Sequence, residues 1–280
     1  FLMSGKTWAD EITDVTGRKF VFEKPAQKIV TLAPSVAELT ADLLGQNLDS
    51  IVGVTEYTDY PPALKSKTII GTYVRFNVEK IFSLKPDLIL ATKDGNPEDQ
   101  ISRLRDLGLK VIVIDTDRLD SIYESMHLLG VVLGKKNEAA LLIAKLQKSI
   151  QEVKKKRQQQ EKKTILIQVG ADPIVVAGGK TFLNEVLDIL GFKNVYSTLN
   201  ARYPHLAIED ILSKNPDYIL SLMLSPDPKM EKKLGAFWGQ YHTLSAVKNG
   251  KVKIHYSDEL LRPSMRLLYG ILSLEKKLYE

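Results

Sequence analysis

Cysteine is absent from the 280 residues, which rules out disulfides, thiolate metal sites, a cysteine nucleophile and a lipid-modified cysteine within this stretch. That absence suits an oxidising compartment. No apolar run approaches the roughly 18 residues that a membrane-spanning helix needs. Catalytic signatures are missing as well. The first apolar strand, KIVTLA, runs into PSVAEL without the glycine-rich loop of a dinucleotide site, and GADPIVVAGG has neither the P-loop lysine nor the dinucleotide spacing. Neither HExxH nor GxSxG occurs. Ser35 stands at a strand-to-helix junction, but LAPSVAE builds no nucleophile elbow; the expected role of Ser35 is an N-cap, with Glu38 three residues later at capping-box spacing. Long basic tracts are also lacking. Lys plus Arg number 39 against 34 Asp plus Glu, a net charge of +5, and the basic residues are interspersed with acidic ones except at Lys154 to Arg157 and at Lys162 and Lys163. A nucleic-acid groove would concentrate its cations, so a solvated basic surface is expected and no nucleic-acid partner.

With 44% hydrophobic residues, the chain can bury a large core or two smaller ones. Strands are expected at Lys28 to Ala33, Ile51 to Val54, Leu88 to Ala91 and Val111 to Asp115. Helices are expected from Pro34 to Gly45, Val78 to Leu84 and Pro97 to Leu107. A long stretch from about Leu119 to Gln159 reads as a short helix followed by a long one starting near Asn137. Then strands return at Thr164 to Val169, near Val175, Tyr218 to Ser221 and Val252 to His255. Helices are expected between them at Thr181 to Leu190, Ala207 to Ser213 and near Pro228 to Leu234, with a last one from Pro263 to Leu278. Short apolar strands separated by helices predict α/β units with parallel sheets. The expected organisation is an α/β lobe over 10–118, a helical connector over 119–161 and a second α/β lobe over 162–280. FLMSGKTWA, at the start, reads as the tail of an export signal or as a frayed terminus.

An internal repeat supports two lobes. Val78 to Ala91 aligned on Ile208 to Ser221 gives seven identities in 14 gapless positions, including Glu79 with Glu209, Pro86 with Pro216 and Asp87 with Asp217. KIVTLA and TILIQV precede the two copies, and KVIVID and KVKIHY follow them, so the duplication extends over a whole lobe. Two lobes joined by a helix predict a ligand cleft between them. Its expected borders are strand ends and the loops after them: Tyr57 and Tyr60 in EYTDYPP, Tyr73 and Phe76 in GTYVRF, Tyr203 in RYPH, and His255, Tyr256, Asp258 and Arg262 in HYSDELLR. Aromatic residues gathered in polar, turn-rich loops suggest a stacking surface.

The segments ITDVTGRKFVFEKPAQKIVTLAPS, VGVTEYTDYPP and NVEKIFSLKPDLILA, in this order and spacing, resemble the periplasmic substrate-binding proteins of ATP-driven importers for vitamin B12, haem and iron-siderophores. The resemblance covers nearly the whole chain. It implies the class III fold of that family, two Rossmann-like lobes with central parallel sheets joined by one long helix, and a place in the periplasm or on the extracytoplasmic surface. It also implies a monomer that captures its ligand without chemistry, needs no metal or cofactor, and delivers to the permease dimer of an ABC importer. The cobalamin-binding members match most closely. By that resemblance Tyr57 matches a tyrosine of the corrin site, Tyr73 and Tyr203 stand at positions of pocket tryptophans, and Asp258 and Arg262 match a pocket aspartate and arginine. Lys93 departs from the pattern. A tryptophan stands there in the cobalamin binders, and a cation gives either a weaker platform or a contact to an acidic ligand edge.

The repeated glutamates have two readings. A carboxylate in the first turn of a helix is favourable by itself; in the family the glutamates matching Glu79 and Glu209 dock onto arginines of the two membrane subunits. The implied ligand is a corrinoid such as cobalamin. Haem or a ferric siderophore is the alternative within the class, haem using Tyr57, Tyr203, His205 or His255 as an axial ligand and a siderophore using Lys93, Arg202 and Arg262. For each of the four histidines the plain expectation is a surface or hydrogen-bonded side chain. Outside the importer class, the alternative is a surface sensory or adhesion module that reuses the fold.

Overall fold

The computed structural model describes residues 10–157 and 161–280, so the reading of residues 1–9 as an export-signal remnant lies outside the described residues. The chain divides between Lys145 and Leu146 into two compact units. In the first, β1 (Asp10–Thr13) and β2 (Lys19–Phe22) make an antiparallel hairpin. After them come β3 (Ile29–Thr31), α1 (Pro34–Leu44), β4 (Ile51–Val54), β5 (Thr68–Ile69), α2 (Val78–Ser83), β6 (Leu88–Thr92), α3 (Glu98–Asp106), β7 (Val111–Ile114) and α4 (Leu119–Val132). Helix α5 (Lys136–Arg157) starts in this unit and ends in the second.

The second unit contains β8 (Lys163–Ala171), β9 (Ile174–Val176), α6 (Phe182–Ile189), β10 (Phe192–Asn194), α7 (Ile208–Lys214), β11 (Tyr218–Met223), α8 (Pro228–Gly239), α9 (Ser245–Lys248), β12 (Val252–Tyr256), α10 (Asp258–Leu261) and α11 (Leu267–Tyr279). The two units are α/β lobes, each with a parallel central sheet. The first has order β5-β4-β3-β6-β7 and the second β10-β8-β11-β12, with β9 added antiparallel to β8. Every residue of β3, β6 and β7 is buried, as expected of parallel strands with both faces covered. From these strands Val30, Ile89, Ala91, Val111 and Val113 join Ile101 and Leu104 of α3 in one core, while Leu166, Ile211, Ile219 and Trp238 lie in the core of the other lobe. Among the described residues no helix is long and apolar enough to cross a membrane.

The repeat is now physically explicit. Asp87, just before β6, accepts the backbone N–H groups of Gln27 and Lys28 at 2.9 and 3.0 Å, tying the start of β6 to the start of β3. Asp217 does the same before β11, accepting from Thr164 N and Thr164 Oγ1, each at 2.8 Å. Among the described residues, the two non-glycine residues with positive φ, Lys85 (50°) and Asn215 (43°), also occupy matching positions, each just ahead of the paired proline. Both lobes therefore use one turn and one carboxylate latch to bring the repeated helix into the repeated strand.

Two local expectations are corrected. Ser35 is not a cap: Pro34 occupies the first turn, where a missing N–H costs nothing, and Ala33 takes the N-cap position without a side-chain bond. Nor is the last helix continuous from Pro263. Arg262, ahead of that proline, leaves the helical region (φ −129°, ψ 80°), so α10 ends and α11 begins only at Leu267. Strands β1, β2, β5 and β10 were not among the expected elements; β1 and β2 are held through Asp14, whose Oδ2 accepts from Val113 N in β7.

Gly178 and Gly179 precede α6 where two backbones nearly touch. A Cβ on Gly178 would lie 2.1 Å from the Ala201 carbonyl oxygen, and one on Gly179 would lie 1.8 Å from that of Ser197. Both obstacles are main chain and have no rotamer to change. Gly179→Ala is expected to destabilise the protein by about 3 kcal/mol, since overpacking against fixed atoms forces a backbone shift. The urea midpoint measures this; an unchanged midpoint contradicts it.

Candidate functional site at the strand ends

In the first lobe the strands are parallel, so the loops after them emerge at one edge of the sheet. Three of the residues singled out above are there. Tyr57 follows β4, in a turn closed by Thr58 N donating to Thr55 O at 3.1 Å, with its ring 62% exposed. Tyr73 follows β5, at the tip of a loop whose limbs pair through Gly71 and Phe76. Lys93 directly follows β6, where its N–H donates to Ile114 O and its ammonium lies 3.5 Å from Asp115 at the end of β7. Phe76, expected beside them, is a correction: it is 5% exposed and belongs to the core cluster. Tyr73 and Phe76 share a loop, and one faces solvent while the other anchors the loop.

In the second lobe Tyr203 sits in a strap laid along β9, where Gly178 N donates to Arg202 O at 2.7 Å and Val176 N to Pro204 O at 3.1 Å. The residue is 43% exposed. Desolvation still raises the phenol above its ordinary range, against the pull of the Arg202 cation. Asp258 and Arg262 follow β12 on α10, 3.6 Å apart. The stronger partner of Asp258 is Arg266, at 2.9 Å, which also lies 3.6 Å from Glu259. Burial pushes the Asp258 carboxyl upward, but the hydrogen bond and charge of Arg266, with the charge of Arg262, outweigh it and hold the group below the usual carboxylate range. Arg266 was missed in the sequence: Pro263 separates it from Asp258 and Arg262, and no continuous helix joins it to them.

His255 is a second correction. It is 8% exposed on β12, its Nε2 has no hydrogen-bond partner among the described residues, and desolvation, followed by the charge of Lys277, lowers its pKa. Tyr256 gives its hydroxyl to Glu231. Neither is an open platform, whereas His205 is exposed.

A recess of about 490 Å³ opens between the ends of β8 and β11, where the strand order of this lobe changes direction, the usual place for a ligand on an open parallel sheet. Apolar Met223, Met230 and Leu261 line it, with buried Gln168 and Ser221. Gln168 Oε1 accepts from Ser221 Oγ at 2.6 Å and from Trp238 Nε1 at 3.0 Å. Leu261 lies between Asp258 and Arg262 in sequence, which places the recess beside that charged group. Among the described residues no group of three or more His, Asp and Glu side chains could hold a metal ion.

Glu79 and Glu209 are exposed in the first turns of α2 and α7. Asn77, not Glu79, caps α2 by accepting from Lys80 N at 2.8 Å, and α7 has no side-chain cap. Capping does not account for either carboxylate.

Two parallel α/β lobes joined through long helices define a two-lobed solute-binding protein of the class III type. The chain belongs to the periplasmic binding protein family, whose model matches residues 29–258. This is a non-catalytic, extracytoplasmic family. The chain is 32% identical over 276 residues to an uncharacterized ABC transporter substrate-binding lipoprotein of Bacillus subtilis (strain 168), covering 96% of this chain and 85% of that one. It is 29% identical over 249 residues to the vitamin B12-binding protein of Vibrio cholerae, covering 88% and 87%. The crystal structure of a periplasmic vitamin B12 binding protein of Vibrio cholerae superposes with a TM-score of 0.78 at 28% identity, over 91% of this chain and 97% of that one. A possible iron-binding (periplasmic solute-binding) protein from Staphylococcus epidermidis ATCC 12228 gives 0.79 at 25% identity, over 92% and 100%.

Proposed function

We propose that the protein captures a corrinoid of the cobalamin type outside the cytoplasm and delivers it to an ABC importer. The observation that carries this reading is the presentation of Tyr57, Tyr73 and Tyr203 as exposed rings on loops after parallel strands, in a chain similar to vitamin B12-binding proteins over most of its length. A corrin has a broad apolar edge fringed with amides. Tyrosine rings cover such an edge while keeping a hydroxyl for hydrogen bonding, and the Asp258–Arg262 pair offers an acceptor and donors for the amide fringe. Lys93, held by Asp115, adds a donor where a flat ring would otherwise lie. Burial of His255 within its own lobe weighs against haem, because one of the candidate axial ligands is turned into the protein. Glu79 and Glu209, one on each lobe, are the proposed contacts to the two membrane subunits, where paired charges set registry.

Calorimetric titration with cyanocobalamin, beside haemin and a ferric siderophore, tests the ligand. A saturable one-to-one heat with the corrinoid alone is the expected result. Binding of haemin or the siderophore with none of cyanocobalamin overturns the corrinoid reading.

A further inference from the structure

We infer that Asn96 and Gly95 are positioning residues that preset the Tyr73 ring as a ligand platform, an inference that rests on the binding function proposed above. Asn96 is 7% exposed, and its side chain joins three separate segments. Oδ1 accepts from Thr92 N at 2.8 Å, at the end of β6, while Nδ2 donates to Leu32 O at 2.8 Å, just beyond β3, and to Tyr73 O at 2.7 Å. Strands β3 and β6 are neighbours where the strand order of this lobe reverses, so Asn96 ties the Tyr73 backbone to the ligand-favoured point of the sheet. Only the amide fits this role, because two carbonyls need donors while an N–H needs an acceptor.

Gly95 controls the ring itself. Its φ is +105°, and a Cβ there would meet Tyr73 Cε2 at 2.9 Å and Cδ2 at 3.0 Å, so the ring rests against the glycine. Gln100 of α3 fixes the rest of the loop, donating to Val74 O at 2.9 Å and accepting from Phe76 N at 3.2 Å. Tyr73 nevertheless remains 43% exposed. A loop serving only to close the sheet would have no use for an exposed aromatic held from both backbone and ring. An ordered platform, in contrast, loses less side-chain freedom when a flat ligand settles on it.

The test combines a ligand-independent readout with a double-mutant cycle. In protein carrying 3-fluorotyrosine, the Tyr73 resonance, assigned by its loss in Tyr73→Phe, is expected to be single and sharp, and to shift or broaden in Gly95→Ala and Asn96→Ala. Cyanocobalamin titrations should show each of these variants binding about tenfold more weakly than wild type, but less than about twofold more weakly when Tyr73 is already alanine. An unchanged resonance overturns the inference, as does wild-type affinity in the single variants or in Tyr73→Ala. A tenfold loss that persists without Tyr73 also overturns it, since the effect then does not pass through the ring. If wild-type protein binds haemin or the siderophore instead of cyanocobalamin, the corrinoid reading fails and the same cycle with that ligand decides the inference. If it binds none of the three, the fluorine spectrum decides the positioning alone.

Discussion

Glu79→Ala combined with Glu209→Ala is expected to reduce importer-dependent uptake by at least about tenfold while leaving the affinity for ligand within about twofold of wild type. Both carboxylates are exposed and stand in first helical turns, and the cap of α2 comes from Asn77. Their removal should therefore cost little beyond a favourable charge–dipole interaction of about 0.3–1 kcal/mol each. On a twofold transporter, however, two carboxylates on related lobes would each meet a cation of one membrane subunit, and losing both removes the features that set orientation. Uptake measured in proteoliposomes with the cognate importer, next to calorimetry on the same variants, separates the two effects. Wild-type uptake by the double variant would overturn the docking reading and favour a sensory or adhesive module. Equal losses of binding and uptake would place the carboxylates in the ligand site or in folding.

Arg266→Met is expected to destabilise the protein by about 2 kcal/mol and to flatten its acid response. Arg266 is nearly buried, and its removal takes from Asp258 its nearer cation and leaves Arg262 at the longer distance of 3.6 Å. Because the side chain of Asp258 retains 27% exposure, the loss should fall below that of a fully buried pair. The pH dependence follows from the lowered carboxyl. In the unfolded chain Asp258 takes up its proton near pH 4, and in the folded protein only at lower pH. The unfolded state thus binds more protons in that interval, so the stabilisation is complete above about pH 5 and is lost as pH falls through the folded value. Urea midpoints at pH 7 and pH 3.5 should show wild type and variant converging at the lower pH. A constant gap between them would mean that Arg266 acts by packing and not through the charge of Asp258. Because Leu261 of α10 lines the recess and Arg262 follows it directly, the variant is expected to bind ligand more weakly at pH 7 as well.

The Tyr73 loop shows how local and tertiary information divide. GTYVRF reads as a loop with two aromatics, and nothing in its six residues says which is a platform and which an anchor. The choice is made when Phe76 meets the core of α3, β6 and β7, and when Asn96 and Gly95 return from beyond β6 to hold Tyr73 outward. Similarly, Asp258 and Arg262 were legible as candidate site residues through the resemblance of DELLR. Dominance of Arg266 was not, since it requires the chain to break at Pro263 and fold back. Ser35 fitted the capping-box spacing and still lost the N-cap position, because the proline before it begins the helix two residues earlier than the spacing suggests.

By itself, then, the sequence determined the alternation of strands and helices, the duplication and the loops that follow the strands. Each of these is a property of short windows: hydrophobic period, turn residues and a direct repeat of 14 positions. Even the latch residues Asp87 and Asp217 were visible as paired identities before their hydrogen bonds gave the reason. Tertiary structure alone decided which loop side chains are presented and which are buried. It also set the recess between β8 and β11, the Gln168 network and the support beneath Tyr73. Those features depend on partners 64 residues apart for Asn96 with Leu32 and 70 apart for Gln168 with Trp238. A hydrogen bond or a packed ring needs its atoms within a few ångströms, and only the closing of the parallel sheet brings such distant segments together.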